Sequence, residues 1–143
     1  MPTLELFSPR IGDVPEKSGL NWGFADAHVS TADAYIALRK DFFLNFPNFF
    51  PPHGSIISVI WDDGVRMNCL LEGTQIINGI VKPKQISTFD DKSELGIYLR
   101  DRIGVSYNSI ITLEDLFDYG RTDIEISLLD NGDYYFDFSV WYD

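Results

Sequence analysis

The chain has 143 residues, of which 45% are hydrophobic and 15% aromatic, and its formal net charge is −11. This length and hydrophobic fraction predict a single folded domain, residues 1–143, and exclude an intrinsically disordered chain. No apolar run approaches the roughly 18 residues of a membrane span, and the single cysteine excludes an internal disulfide. We therefore predict a cytoplasmic protein with no membrane partner.

The charges are unevenly distributed along the chain. Five of the eleven basic residues lie between Lys82 and Arg102, against four acidic ones, whereas eight acidic residues and the single base Arg121 lie from Asp115 onward. Sequence-blind DNA binding depends on Lys and Arg neutralising phosphates, and the overall charge argues against it. Because charges beyond about 8 Å are screened at physiological salt, the basic middle segment can still meet DNA.

The first third of the chain predicts short strands separated by loops. A short strand is expected around Leu4 to Phe7, and Gly19 to Gly23 predicts a turn that carries Trp22. Ala34–Leu38 then predicts a strand. Prolines at 47, 51 and 52 predict that Arg39 to Pro52 is a loop, whose phenylalanines fill the core.

The middle of the chain predicts a hairpin followed by an extended segment. Ile56–Trp61 predicts a buried strand, and Asp62-Asp63-Gly64 is typical of a tight turn. Val65–Leu71 is the expected antiparallel partner. Ile76–Val81 is then expected to run extended.

The last third predicts two short helices and a hairpin. Asp91 with Glu94 is typical of a capping box, and that helix is expected to end at Gly104. A second short helix is predicted from Thr112 to Gly120. The alternation of Ile124, Ile126 and Leu128, a type I′ turn at Asn131-Gly132 and a returning strand Tyr134–Trp141 predict the final hairpin. The chain is therefore expected to be mainly β with two short helices.

Two polar segments lie between these elements, and we call Gly23–Thr31 the first arm and Gln75–Lys92 the second arm. Loops held by rigid elements are where binding groups concentrate. The side chains here, and Asn21 just before the first arm, are of the types that contact phosphates and base edges. The candidate DNA-binding residues are Asn21, Asp26, His28, Ser30, Thr31, Gln75, Lys82, Lys84, Gln85, Ser87, Thr88 and Lys92. The alternative is that both arms are solvated loops.

The sequence contains few of the residue patterns that are typical of catalytic sites. His28 and His53 are far apart with no carboxylate or thiol at metal-ligand spacing, and no His-x-Lys pair is present. A nuclease-like set of Asp62 or Asp63 with Asp90 and Lys92 would imply a magnesium site, but these acids fit a turn and a helix start better. We predict no catalytic residues, no metal and no cofactor, and a metal-dependent nuclease is the third alternative.

Seven short segments occur in an order that resembles a known family. The segments are Ser18–Gly23, Ala32–Ile36, Phe49–Pro51, Asp62–Gly64, Ser93–Val105, Asp118–Arg121 and Asp137–Ser139. Together they resemble the C-terminal DNA-recognition domain of BfiI- and NgoFVII-type restriction endonucleases, whose catalytic half is phospholipase-D-like. The similarity extends from about Arg10 to Ser139.

The resemblance implies an open DNA-binding pseudobarrel of seven or so strands, like that of plant B-three transcription factors, with two arms that grip the major groove of double-stranded DNA. Since the His-x-Lys half is missing, it implies a specificity domain without its own nuclease activity. Arg100, Arg102 and Arg121 match family positions and are expected to pair with acids. The first arm departs from the family because it has no Lys or Arg. The alternative function is an acidic domain that docks on a separate nuclease or other partner subunit.

Overall fold

The computed structural model describes residues 2–140, and within them the chain forms nine strands, three α-helices and a 3₁₀ segment. The strands are β1 Thr3–Glu5, β2 Ile36–Ala37, β3 Ile56–Trp61, β4 Arg66–Glu72, β5 Gln75–Ile77, β6 Ile80–Lys82, β7 Gln85–Thr88, β8 Asp123–Leu128 and β9 Tyr134–Asp137. The helices are α1 Lys40–Asn45, α2 Lys92–Ile103 and α3 Leu113–Tyr119, and the 3₁₀ segment is Gly19–Phe24.

Seven of the strands form one mixed sheet in the order β1-β8-β9-β3-β4-β7-β2, and β5 and β6 form a separate two-stranded sheet. The β3–β9 pair is parallel and the other pairs are antiparallel. The two edge strands, β1 and β2, approach each other, and Arg39 Nη1 donates to the Glu5 carbonyl across the gap at 3.2 Å. The sheet therefore curves into a barrel that is nearly closed but stays open between the edge strands β1 and β2. This confirms the predicted pseudobarrel.

The core fills the inside of this barrel and follows the alternation of the strands. Val59 and Trp61 of β3 and Leu71 of β4 are at most 1% exposed, and Leu95 and Leu99 of α2 join the same apolar cluster. Cys69 is buried as expected, and burial raises the pKa of its thiol to about 12. The thiol is therefore a core group and not a nucleophile.

The helices require one correction. The chain forms α1 where a loop was predicted, because the helix ends before Pro47 and the prolines forbid helix only beyond it. Phe42 and Phe43 on α1 are buried as expected, whereas Phe46 is 39% exposed. The two predicted helices are present. No helix among residues 2–140 combines the length and the hydropathy that crossing a membrane would require.

The turns differ from the predictions at two places. The segment predicted as extended is the β5–β6 hairpin, whose Asn78 and Gly79 have φ of 51° and 78°, as a type I′ turn requires. In the final hairpin, a type I′ turn was predicted at Asn131-Gly132. The strands are joined by a three-residue loop at 130–132 instead, since Leu129 N–H donates to the Asp133 carbonyl at 2.8 Å. Its returning strand β9 ends at Asp137, and the end of the predicted strand, at Trp141, lies outside the described residues.

Candidate nucleic-acid interface

The first arm and the β5–β6 hairpin of the second arm lie at opposite ends of the β2–β7 pair. Ile36 pairs with Ile86, so the first arm, which precedes β2, returns to the sheet where β7 ends; there Ala34 N–H donates to the Lys92 carbonyl at 3.2 Å. The β5–β6 hairpin directly precedes β7 and lies at its other end. The four residues of β7 span about 10 Å between the first and last Cα atoms. Strand β7 therefore lies between the first arm and the hairpin, and three of its four residues are buried.

The first arm is a closed loop fastened at its base. Gly23 N–H donates to the Asp33 carbonyl at 2.8 Å. The Thr31 hydroxyl donates to the Tyr107 carbonyl at 2.9 Å, in the loop between α2 and α3. The Ser30 hydroxyl accepts from Ala32 N–H at 3.2 Å. The Gly23 and Ser30 bonds close the loop on itself, and the Thr31 bond fastens it to a segment 76 residues away in the sequence.

His28 braces this loop from within. Its Nδ1 lies 2.8 Å from Asp33 Oδ2, and its side chain is only 16% exposed. The Trp22 ring packs edge-on against His28 and against Tyr35, with centroid distances of 4.5 and 5.2 Å. His28 was predicted to contact DNA, but most of its surface is covered by the protein itself.

Asn21 was predicted to contact DNA, but the structure buries it completely. Its amide donates to the carbonyls of Pro15 and Ile111 at 2.8 Å each, and its oxygen accepts from Ile111 N–H at 2.7 Å. Buried backbone groups need such partners. Asn21 therefore fastens the 3₁₀ segment to the α2–α3 loop.

Arg100 is also fully buried. Its guanidinium donates to the Ser109 carbonyl at 3.2 Å and to Asn21 Oδ1 at 3.4 Å, and no carboxylate among the described residues forms an ion pair with it. Burial lowers the pKa of Arg100. The expected pairing with an acid is thus wrong for Arg100.

The expected pairing is confirmed for the other two arginines. Arg102 holds Asp62 through two bonds of 2.7 and 2.9 Å, and Arg121 holds Asp123 at 2.9 Å.

The second arm was predicted as an extended run, Ile76–Val81, followed by a polar segment. The structure instead forms the β5–β6 hairpin, strand β7 and the start of α2 there. Ser87 and Thr88 are fully buried in β7, where the Thr88 hydroxyl accepts from Leu95 N–H at 3.2 Å. The Gln75 amide donates to the carbonyls of Leu38 and Pro83 at 2.7 and 2.8 Å. These three polar side chains therefore make hydrogen bonds within the protein.

The lysines of the second arm differ in how they are engaged. Lys82 Nζ donates to the Pro47 carbonyl at 2.5 Å, whereas Lys84 is exposed. Lys92 forms an ion pair with Glu72 and donates to the Ser87 hydroxyl at 2.8 Å. Burial of Glu72 disfavours its charge, but the bonds from Lys92 and Ser87 outweigh it, so the pKa of Glu72 is lowered.

The nuclease-like set does not assemble. Asp62 and Asp63 lie in the β3–β4 turn beside Arg102, and Asp90 lies at the start of α2, next to the Asp91 cap. No group of three or more His, Cys, Asp or Glu in the described part of the chain could hold a metal ion.

Sequence reasoning missed the apolar groups that both arms expose. Val29 of the first arm is fully exposed, and Ile76, Ile80 and Val81 of the hairpin are 73%, 56% and 46% exposed. The β-branched residues on both sides of Asn78-Gly79 were the available signal.

The family model of the NgoFVII C-terminal B3-like DNA-binding domain matches residues 3–130. This chain belongs to that family. It is a DNA-binding recognition domain of the restriction-enzyme type, and both arms lie within the matched residues. No curated protein matches the chain. No observation supports the alternative of an acidic docking domain.

Proposed function

We propose that this B3-like domain reads a specific sequence in the major groove of double-stranded DNA with its two arms. The observation that carries the proposal is that both arms lie inside the matched DNA-binding family region, with the first arm and the β5–β6 hairpin at opposite ends of β7. The major groove, about 12 Å wide, admits a two-stranded ribbon such as this hairpin.

The contacts follow from what the arms leave accessible. Lys82 and Lys84 would bind phosphates, and Gln85, Lys92, Ser30 and Thr31 would supply further polar contacts from the two arms. Asp26 is exposed, and a carboxylate can accept a hydrogen bond only from a donor such as the cytosine amino group. Asn21, Ser87 and Thr88 are not included because they are fully buried. Gln75 is not included because its amide is bonded to two backbone carbonyls, nor is His28, because most of its side chain is covered.

Selection of bound fragments from random duplexes at low salt tests this proposal. With the selected duplex, the double variant Lys82→Ala/Lys84→Ala should bind more weakly and lose about one unit of salt slope for each lost phosphate contact. The matched control, Arg10→Ala/Lys17→Ala, removes two exposed cations outside both arms and should keep the affinity. Equal affinities for wild type and the arm variant would refute the second arm as a DNA surface.

We further propose that the domain supplies specificity to a phospholipase-D-like nuclease and has no catalysis of its own. The support is the family of the domain and the dispersal of the candidate acids. Incubation with plasmid DNA and magnesium at high protein concentration should leave the plasmid intact. Cleavage that survives further purification would contradict this part of the proposal.

A further inference from the structure

Both arms present aliphatic side chains where a DNA-binding surface would be expected to present cations. The first arm has no Lys or Arg, and its most exposed side chain is Val29. In the hairpin, Ile76 and Val81 are cross-strand partners, while the alternate position Ile77 is buried. Since neighbouring residues of a strand point to opposite faces, the Ile76–Val81 pair lies on the face turned away from the protein.

Val29 is also held in place rather than swinging freely. The loop is fastened on one side by the His28–Asp33 contact and on the other by the Thr31–Tyr107 bond. A β-branched side chain has few rotamers. Two residues before it, Ala27 has a φ of 70°, which non-glycine residues seldom adopt. The arm thus presents a small, rigid apolar group.

The edges of the base pairs in the major groove offer one apolar group to such a side chain, the methyl at the 5-position of a pyrimidine. Thymine carries it, and so does 5-methylcytosine. Asp26, near Val29 in the same arm, would be repelled by phosphates, which favours contact with base edges over contact with the backbone.

We propose that Val29 of the first arm and the Ile76–Val81 pair of the hairpin read pyrimidine 5-methyl groups in the major groove. This inference rests on the proposed function and names the chemical feature by which the same site discriminates sequences. It assigns specificity to side chains that make no hydrogen bonds.

The test replaces each thymine of a selected duplex by uracil, which has the same hydrogen-bonding edge and lacks only the methyl group. Fluorescence anisotropy should show about a fourfold loss of affinity at each methyl that is read, the value of one buried methyl group. A parallel selection with a library that contains 5-methylcytosine distinguishes the two sources, since removal of that methyl should then cause the same loss.

Variants connect each loss to a side chain. Val29→Ala should abolish the thymine–uracil difference at one position while leaving it at others, and Ile76→Ala or Val81→Ala should abolish it at a different position. Val65→Ala removes a 39% exposed valine outside both arms and should preserve every difference.

Two outcomes overturn the inference while the proposed function stands. One is a selected duplex whose affinity is unchanged by every thymine-to-uracil and 5-methylcytosine-to-cytosine change. The other is a Val29→Ala variant that weakens binding to the thymine and uracil duplexes by the same factor. Failure to select any duplex at low salt would instead refute the proposed function itself.

Discussion

Gly96 lies inside α2, where helix preference alone would favour alanine by about 0.5–1 kcal/mol. A Cβ at this position would lie 1.7 Å from the Ala32 carbonyl oxygen at the base of the first arm. We expect Gly96→Ala to lower the free energy of unfolding by about 1–3 kcal/mol, the usual cost of overpacking. Urea denaturation measures this, and a gain in stability would show that α2 does not need this close approach.

Asp62 couples stability to pH through its contact with Arg102. Burial, the largest influence, opposes its charge, but the bonds from Arg102 and the 2.7 Å bond from Phe138 N–H outweigh it, so the pKa of Asp62 is lowered. A lowered carboxyl pKa contributes stability above the ordinary value of about 3.9, and this contribution is lost as the pH falls through the folded value.

The variant Asp62→Asn isolates this contribution. It should be less stable than wild type at pH 7, by about 3 kcal/mol if the pair behaves as buried. The difference should shrink as the pH falls below 4, because wild type then loses the same contribution. Denaturation at several pH values measures it. A difference independent of pH would mean that Asp62 acts only through packing.

At the scale of elements, alternation of apolar residues located the strands that the sheet buries on one face. Ile56–Trp61 is predicted with the bounds that β3 has. Strand β7 was not predicted, because Gln85–Thr88 contains only one aliphatic residue. The strand is buried by β4, β2 and α2, and the local sequence does not reveal these neighbours. Helix α1 was not predicted, because the prolines at 47, 51 and 52 were treated as excluding helix from the whole segment Arg39 to Pro52.

The candidate site shows the same limit. Polarity identified both arms, but it could not distinguish an exposed polar side chain from a buried one that bonds to the backbone. Asn21 and Ile111 are 90 residues apart, and Gln75 and Leu38 are 37 residues apart. Only the tertiary structure brings these partners together, so burial of the polar residues was not predictable.

We expect the contribution of the β5–β6 hairpin to DNA binding to be separable from the stability of the barrel. Valine at Gly79 is unfavourable, because the turn needs a positive φ there, but the hairpin lies outside the seven-stranded sheet and can open locally. We expect Gly79→Val to weaken DNA binding several-fold, with a smaller loss of unfolding free energy than the matched change Gly132→Val in the β8–β9 loop, where φ is 92°. Anisotropy and urea denaturation measure the two effects. The reverse pattern would count against the hairpin as a DNA-contacting element.

At the scale of the whole molecule, the charge of −11 and DNA binding are compatible because the charges are segregated. Much of the acid is carried by α3 and the β8–β9 hairpin, whereas the second arm carries three lysines. Because charges more than about 8 Å from the duplex are screened, electrostatic attraction to DNA depends on the lysines that lie close to it. Lys92 is already neutralised by Glu72, so few cations are available.

This scarcity predicts a weak dependence of DNA affinity on salt. With two to three phosphates neutralised, the slope of log affinity against log salt should be about −2 to −3. Glu72→Gln frees Lys92 and should steepen the slope by up to about one unit while raising the affinity, because one more cation becomes available. The control Glu114→Gln, an exposed acid on α3, should leave the slope unchanged. Anisotropy over a salt series measures all three proteins, and a wild-type slope steeper than about −5 would require phosphate contacts from cations outside the arms.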